Sequence, residues 1–235
     1  MTKIAATFQK LQEAEILCRS SQVVSVVNDQ VYIFGGELRP REPRDNDVHV
    51  VSLEANAMIA SKPATFCSPS PRVGSAACTL NGKIYIFSGR GGVAMAPVEE
   101  HGAIWEFDPT QAKWSLISPS GQVSKDLPAA RSYHCMASDG EDTIYLHAGC
   151  PETGRLSDLW AFSLSRKEWT ELSPSFDPPR GGSSITFTEH KLYRMNGFDG
   201  EAEQGVAWIF IHLEPTPGLH THTCLMVLPA PRPEA

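Results

Sequence analysis

The sequence predicts an all-β fold, a β-propeller with about four blades, and three observations support this. First, four segments have Tyr at the second position and Gly at the sixth: 31–36, 84–89, 144–149 and 192–197. Second, the residue before the last glycine lies 16 positions after an arginine in three copies (35−19, 88−72, 196−180) and 17 in the other (148−131). Third, the arginines recur at intervals of 53, 59 and 49 (72−19, 131−72, 180−131), and no helical periodicity competes. One such period suits one four-stranded blade. The arginines are Arg19, Arg72, Arg131 and Arg180.

The second repeat contains every strand of a predicted blade. Residues 75–80 and 83–87 form strands one and two, and 104–107 and 114–117 form strands three and four. Asn81-Gly82 between the first two favours a type I′ hairpin turn, since both central residues of that turn need positive φ. The third repeat has the same outer half, with tryptophans nine residues apart in both (114−105, 169−160).

The whole chain divides into predicted units along this pattern. Residues 7–11 favour a strand that closes the last blade, and a short helix over 8–16 is the alternative. In the tail, only 224–228 suits a strand. The units are a closing strand in 1–18, blades in 19–66, 67–118 and 119–173, a partial blade in 174–212, and a divergent Pro-rich tail in 213–235.

Four features of the repeats are predicted to be structural. The glycine pairs let neighbouring blades approach closely. One arginine per blade before strand one is better explained by structure than by catalysis. His134 and His147 fall in predicted strands, where interior histidines are more common than catalytic bases.

Composition limits the classes of partner. A net charge of −7 and a pI near 5.6 argue against nucleic acid or an anionic membrane surface as the main partner. The six cysteines have no CxxC spacing, and no apolar run suits a signal sequence or a membrane span. We therefore expect a cytoplasmic protein with reduced thiols.

The loops between strands two and three are long and charged, and repeat symmetry places them on one side of the propeller. Loops held by a rigid scaffold are where propellers bind ligands. Arg90 and Arg155 lie in matching loops and are candidates for binding a sulfate or carboxylate through two parallel hydrogen bonds. The other candidate residues of this face are Glu37, Arg39, Arg41, Glu100, His101 and Asp199.

These residues resemble kelch repeats, whose blades show the glycine pair of strand two and a later aromatic and tryptophan. Within that family the chain resembles the plant nitrile-, epithio- and thiocyanate-forming specifier proteins and their fungal relatives. The similarity lies in 32–37, Arg131 to His134, 154–156 and 180–182 followed by 193–200. It implies a six-bladed parent of which this chain would be an incomplete part, and anion-binding roles for Arg90 and Arg155.

The resemblance also implies a lyase that uses Fe(II) held by a Glu-x-x-x-Asp-x-x-x-His set. No glutamate in this chain has Asp four residues later, so we expect no metal site and no cofactor here. Two hypotheses follow. The chain is a specifier-like protein acting on a small anionic, sulfated substrate, or it is a non-catalytic scaffold that binds a protein partner with the same face.

Overall fold

The computed structural model describes residues 10–54, 59–121, 123–172, 178–205, 208–212 and 223–227. These residues contain no α-helix, only two 3-10 turns at Glu15–Leu17 and Ser124–Asp126. Every other regular element is a β-strand, and the main sheets are antiparallel with four strands each. The predicted all-β class is therefore confirmed.

Blade one contains six strands, four of which form its main sheet. The sheet order is β1-β2-β5-β6, and β3 with β4 forms a separate hairpin in the loop between strands two and three. The strands are β1 (Val23–Val27), β2 (Gln30–Phe34), β3 (Glu37–Arg39), β4 (Glu42–Pro43), β5 (Val48–Ser52) and β6 (Ile59–Lys62).

Blade two matches the strands predicted from the sequence. Its main sheet has the order β8-β9-β12-β13, and three short strands pair above it as β7-β10-β11. Asn81 and Gly82 have φ values of 51° and 72°, as the predicted hairpin turn requires. The strands are β7 (Arg72–Val73), β8 (Ala76–Leu80), β9 (Lys83–Phe87), β10 (Arg90–Gly91), β11 (Ala96–Pro97), β12 (Ile104–Asp108) and β13 (Lys113–Ile117).

Blades three and four each form one sheet whose strands pair in chain order. The strand expected in the tail is present as β21, and it gives the fourth sheet four strands, three of them within 174–212. The expected closing strand at 7–11 lies mostly outside the described residues. The strands are β14 (Cys135–Ser138), β15 (Thr143–Gly149), β16 (Leu156–Ser163), β17 (Glu168–Leu172), β18 (Ser184–Thr188), β19 (Lys191–Met195), β20 (Trp208–His212) and β21 (Thr223–Val227).

The core lies between the blades. The first strands contact each other in series, β1 with β8, β8 with β14 and β14 with β18, so the four sheets form an arc. Each strand alternates its side chains between two faces, and in blades two and three each face packs on a neighbouring blade. Phe34 of blade one packs with Trp114 of blade two, and Phe87 of blade two packs with Trp169 of blade three.

In blades one to three, the glycine that ends the Tyr segment connects one blade to the next. The N–H groups of Gly36, Gly89 and Gly149 donate to the carbonyls of Arg72 and of the two arginines that follow it in the series, at 2.8–2.9 Å. A Cβ on Gly35 would lie 2.5 Å from the Arg72 carbonyl oxygen, which confirms the predicted close approach at this position. The Gly36 Cβ would instead meet Ser20 of its own blade at 2.7 Å, so the two glycines of the pair have different roles.

No helix long and apolar enough to cross a membrane occurs among the described residues.

Candidate binding face

The spacing of 16 or 17 positions between each arginine and the residue before the last glycine has a direct structural cause. In each blade the arginine Nη1 donates to the carbonyl of the residue that the spacing identifies, at 2.8–3.1 Å. These acceptors are Gly35, Ser88, Ala148 and Asn196. The four arginines therefore hold the end of strand two against the start of strand one in their own blades.

A carboxylate completes this arrangement in blades one to three. Asp45, Glu100 and Asp158 each accept two hydrogen bonds from the guanidinium of their blade, at 2.6–3.2 Å. Burial alone would raise the pKa of Asp45, but the hydrogen bond and charge of Arg19 outweigh burial and hold that pKa below its ordinary value. The sequence did not identify these carboxylates as the partners of the arginines, because their spacing varies. They lie 26, 28 and 27 residues after their arginines (45−19, 100−72, 158−131).

Arg180 of blade four donates to two backbone carbonyls. Its Nε donates to the Pro178 carbonyl at 3.3 Å and its Nη1 to Asn196. Burial lowers the pKa of Arg180, and the charge of Asp199 only partly opposes that shift. Blade four thus keeps the backbone contact of the other blades with a different electrostatic environment.

The loops after strand two emerge from equivalent positions. The residue that follows the last glycine pairs with the residue that follows the arginine, in every blade. Since this pairing recurs at one end of each sheet, the loops lie on one side of the arc, here called the loop face. The pairs are Ser20 with Glu37, Val73 with Arg90, Ser132 with Cys150, and Gly181 with Phe198.

Arg90 connects blade two to blade three. Its Nε donates to Ser132 Oγ at 2.9 Å and its Nη2 to the Pro151 carbonyl at 3.0 Å. Its Nη1 donates to the Met95 carbonyl at 3.3 Å. The guanidinium therefore has protein acceptors on all three nitrogens.

Arg155 is held by packing, and among the described residues its Nε has no hydrogen-bond acceptor. Its guanidinium carbon lies 5.0 Å from the centre of the Phe198 ring, a cation–π contact from blade three to blade four. The backbone of Gly200 also lies close to this guanidinium, since a Cβ on Gly200 would be 2.7 Å from Arg155 Nη1. The Nε atom is buried without a hydrogen-bond partner in the described part of the chain. This donor is positioned and unsatisfied.

The remaining candidates of the loop face have individual environments. Glu100 is occupied by Arg72 and by the Trp105 indole N–H at 2.7 Å. Glu37 accepts the backbone N–H of Arg41 at 2.7 Å within the β3–β4 hairpin.

The β3–β4 hairpin also forms one wall of a shallow pocket. The pocket has a volume of about 310 Å³ and is lined by Leu38, Arg39, Glu42, Pro43 and Arg44. Arg39 is exposed in this hairpin. Arg41 lies beside it and donates to the Ala94 carbonyl of blade two at 3.4 Å.

His101 and Asp199 lie at loop tips. The His101 side chain is 88% exposed, with its ring 3.8 Å from Glu99. Asp199 accepts the backbone N–H groups of Ala202 and Glu201, and these bonds lower its pKa. Asp199 therefore orders its own loop.

Sequence reasoning missed a chain of hydrogen bonds along the inner side of the arc. Gly74 N–H donates to Ser21, Tyr133 N–H to Gly74, and Gly182 N–H to Tyr133, at 2.7–2.9 Å. Each of these residues lies two positions after its arginine and has positive φ. Tyr133 packs its ring on Gly74 and stays 40% exposed, so it is an aromatic surface on the inner side of the arc. The shared offset from the arginine was the available sequence signal.

The two interior histidines are unsuited to act as charged groups. Burial, with the charge of Arg131, lowers the pKa of His134 to about 3. Burial and then the charge of Arg194 lower the pKa of His147 to about 4. His147 Nδ1 contacts the Asp158 carbonyl at 2.8 Å and its Nε2 lies 3.2 Å from Arg194 Nη1. Both rings are part of the interfaces between blades.

The donor set does not fit the Fe(II) centre that the resemblance implies. The Glu-x-x-x-Asp-x-x-x-His set is absent from the sequence. Over the ranges that the structure describes, no three His, Cys, Asp or Glu side chains gather where they could hold a metal ion.

Comparisons with known proteins agree with the repeat pattern. The model of the KLHDC2/KLHL20/DRC7 Kelch-repeats domain matches residues 21–212. The N-(sulfonatooxy)prop-2-enimidothioate sulfolyase of Thlaspi arvense is 29% identical over 189 residues, which cover 77% of this chain and 52% of that protein. Human Kelch domain-containing protein 10 is 26% identical over 190 residues, covering 77% and 41%. Bovine Kelch domain-containing protein 2 is 29% identical over 143 residues, covering 59% and 32%.

The chain thus spans about half, or less, of the length of these relatives. The family match covers the four blades from Ser21 of blade one to the end of β20. On this match, the chain belongs to the kelch-repeat family.

Proposed function

We propose that this chain is a kelch-type binding module whose loop face holds an anionic group of its ligand through Arg155. The observation that carries the proposal is the state of that guanidinium: packed on Phe198, with its Nε buried and unsatisfied among the described residues. A buried donor without an acceptor costs about 1–3 kcal/mol, so an anion that reaches this donor removes the penalty. Guanidinium geometry favours sulfate or carboxylate, which accept two parallel hydrogen bonds.

Arg90 has a positioning role in this proposal. Its bonds to Ser132 and Pro151 hold the start of the blade-three loop that carries Arg155. The arginine that fixes the loop and the arginine that meets the ligand are thus different residues. Replacing Arg90 weakens binding indirectly, by releasing the loop.

The ligand class that fits best is a small molecule with a sulfate or carboxylate group. The sulfolyase relative is named for a substrate with a sulfonatooxy group, which supports this class for a related chain. The proposal covers binding and not catalysis, because the iron-ligand set of the resembled family is missing from this sequence.

The second candidate is a scaffold that binds a protein partner. Kelch domains generally bind proteins, and the exposed β3–β4 hairpin with Arg39 and its shallow pocket favours such a contact. The two candidate functions differ in the residue that binding requires. Binding of a protein partner would require Arg39, and binding of a small anion would require Arg155.

The test is a titration of the protein with phenyl sulfate, followed by calorimetry and by the NMR signals of the arginine Nε–H groups. We expect Arg155→Ala to abolish binding and Arg155→Lys to weaken it by about tenfold, because Lys keeps the charge without the planar fork. Arg166→Ala, which removes an exposed arginine from the same blade, is the matched control. Binding that survives Arg155→Ala, or that Arg166→Ala weakens equally, would contradict the proposal.

A further inference from the structure

The loop that follows β19 in blade four contacts the guanidinium of Arg155 at two points. The ring centre of Phe198 lies 5.0 Å from the guanidinium carbon. The backbone of Gly200 lies close to Nη1, because a Cβ on Gly200 would be 2.7 Å from that atom. Asp199 lies between these two residues in the sequence. The loop that holds the guanidinium therefore also brings a carboxylate into the neighbourhood of the proposed anion site.

The carboxylate of Asp199 is fixed by hydrogen bonds within its own loop. Its Oδ1 accepts the backbone N–H groups of Glu201 at 2.8 Å and of Ala202 at 2.9 Å. Its Oδ2 accepts a hydrogen bond from the side-chain amide of Gln204. Both oxygens are thus occupied by the loop, so Asp199 acts on the anion site through its charge.

The charges around this carboxylate are unequal in number. The backbone N–H groups of the loop lower the pKa of Asp199, and the charges of Arg180 and Arg155 lower it further. Asp199 is therefore ionised at neutral pH, with both guanidinium groups close enough to act on it. These three side chains carry two positive charges and one negative charge, so their net charge is +1. One singly charged anion neutralises this group, whereas a doubly charged anion would reverse its sign.

We propose that Asp199 is a specificity-determining residue, which makes the Arg155 site select singly charged anions over doubly charged ones. Sulfate esters and carboxylates belong to the first class, and phosphate esters belong to the second at neutral and higher pH. This inference rests on the proposed function, since it concerns the ligand that Arg155 binds.

The physical reason is the way in which each energy depends on the charge of the ligand. Attraction to the site rises in proportion to that charge, whereas the cost of removing an ion from water rises with its square. A site with a net charge of +1 therefore favours a monoanion. Asp199 also repels a dianion twice as strongly as a monoanion. Neutralising Asp199 should consequently help a dianion more than a monoanion.

The experiment is calorimetric titration of the full chain with phenyl sulfate and with phenyl phosphate at about pH 8. These probes share the ring and the tetrahedral group, and they differ by one charge because the second pKa of a phosphate ester is about 6. We expect the wild type to bind phenyl sulfate more tightly. Asp199→Asn, which keeps an oxygen for the loop, should shift the ratio of the two dissociation constants towards phosphate by about three- to fivefold at low ionic strength. Sodium chloride at about 1 M should remove this shift, because it screens exposed charges.

Asp199→Ser is a second neutral variant with the same expected result, since a serine hydroxyl can also accept hydrogen bonds from a turn. Circular dichroism verifies that both variants are folded.

The matched control is Asp139→Asn in the turn between β14 and β15, at the end of blade three opposite the loop face. Asp139 also accepts backbone N–H groups of its own loop, from Glu141, Asp142 and Thr143. Its replacement removes the same charge from the chain and should leave the ratio unchanged.

Two outcomes would overturn the inference alone: a ratio that both neutral variants of Asp199 leave unchanged, or a ratio that Asp139→Asn shifts equally. Phenyl sulfate binding that survives Arg155→Ala would instead contradict the proposed function. Binding of neither probe to the wild type would overturn both.

Discussion

The interface between blades two and three and the interface between blades three and four use the same positions with opposite chemistry. In the first, Phe87 at the end of β9 and Leu146 of β15 belong to one buried apolar cluster. In the second, the matching residues are His147 and Arg194, whose nitrogens lie 3.2 Å apart. Arg194 is only 3% exposed.

This difference shows that the repeat determines which positions form the contacts between blades, whereas the side chains at those positions determine how strong each contact is. Apolar burial stabilises by about 25 cal/mol per Å², whereas a buried guanidinium must first offset the loss of its hydration. Arg131 of blade three also has a bidentate carboxylate partner in Asp158. We conclude that blade four is held less strongly than blade three.

The largest expected effect is the loss of the arginine–carboxylate pair in blade three. Asp158→Asn removes the charge that balances fully buried Arg131 and keeps the shape of the side chain. Leaving such a charge unpaired costs about 3–5 kcal/mol. Denaturant unfolding should show a loss of that order in the free energy of unfolding.

Asp199→Asn in blade four is the control for this prediction. Asp199 accepts bonds from its own loop, so its replacement should shift the unfolding midpoint much less than Asp158→Asn. Equal shifts from the two variants would remove the contrast between blades three and four.

The next effect concerns pH. The folded-state pKa values of His147 and His134, about 4 and about 3, lie below the ordinary 6.5, so between these values the unfolded chain binds more protons. Stability from these residues is complete above pH 6.5 and is lost as the pH falls towards 4, by roughly 1.4 kcal/mol per pH unit for each histidine. The double variant His147→Phe with Arg194→Met should show about half the slope. An unchanged slope would contradict the assignment to His147.

The smallest effect is the stability of that double variant at pH 7. His147→Phe with Arg194→Met gives the interface between blades three and four the apolar side chains of the interface between blades two and three. Such replacements of buried charged groups are neutral or stabilising, by about 1 kcal/mol or more. Each single variant should be less stable than the wild type, since it leaves one polar partner behind. A double variant less stable than both single variants would show that the polar pair stabilises the interface.

Much of the fold followed from the sequence because the repeat is local. The Tyr segments, the Asn81-Gly82 turn and the strands of blade two were all predicted at or near their observed positions. The spacing of each arginine to its glycine was visible in the sequence as well. The cause of that spacing is a hydrogen bond from the guanidinium to the carbonyl at that position, and only the three-dimensional structure shows this bond.

The arrangement of the binding face was less predictable because its contacts cross between loops of different length. Nothing in the sequence showed that Arg90 donates to Ser132 and Pro151, or that Glu100 pairs with Arg72. The cation–π contact of Arg155 with Phe198 likewise joins two blades. The anion-binding role of Arg155 stays a prediction, for which the geometry provides a mechanism.

The most direct test of the central claim, that interface chemistry sets the stability of each blade, is native-state hydrogen exchange. The backbone amides of Tyr85, Tyr145 and Tyr193 occupy the same position in β9, β15 and β19, so differences between them report on their blades. We predict that the Tyr193 amide opens with a free energy lower than the other two by at least about 1 kcal/mol. Equal values for all three, or the highest value at Tyr193, would contradict the account.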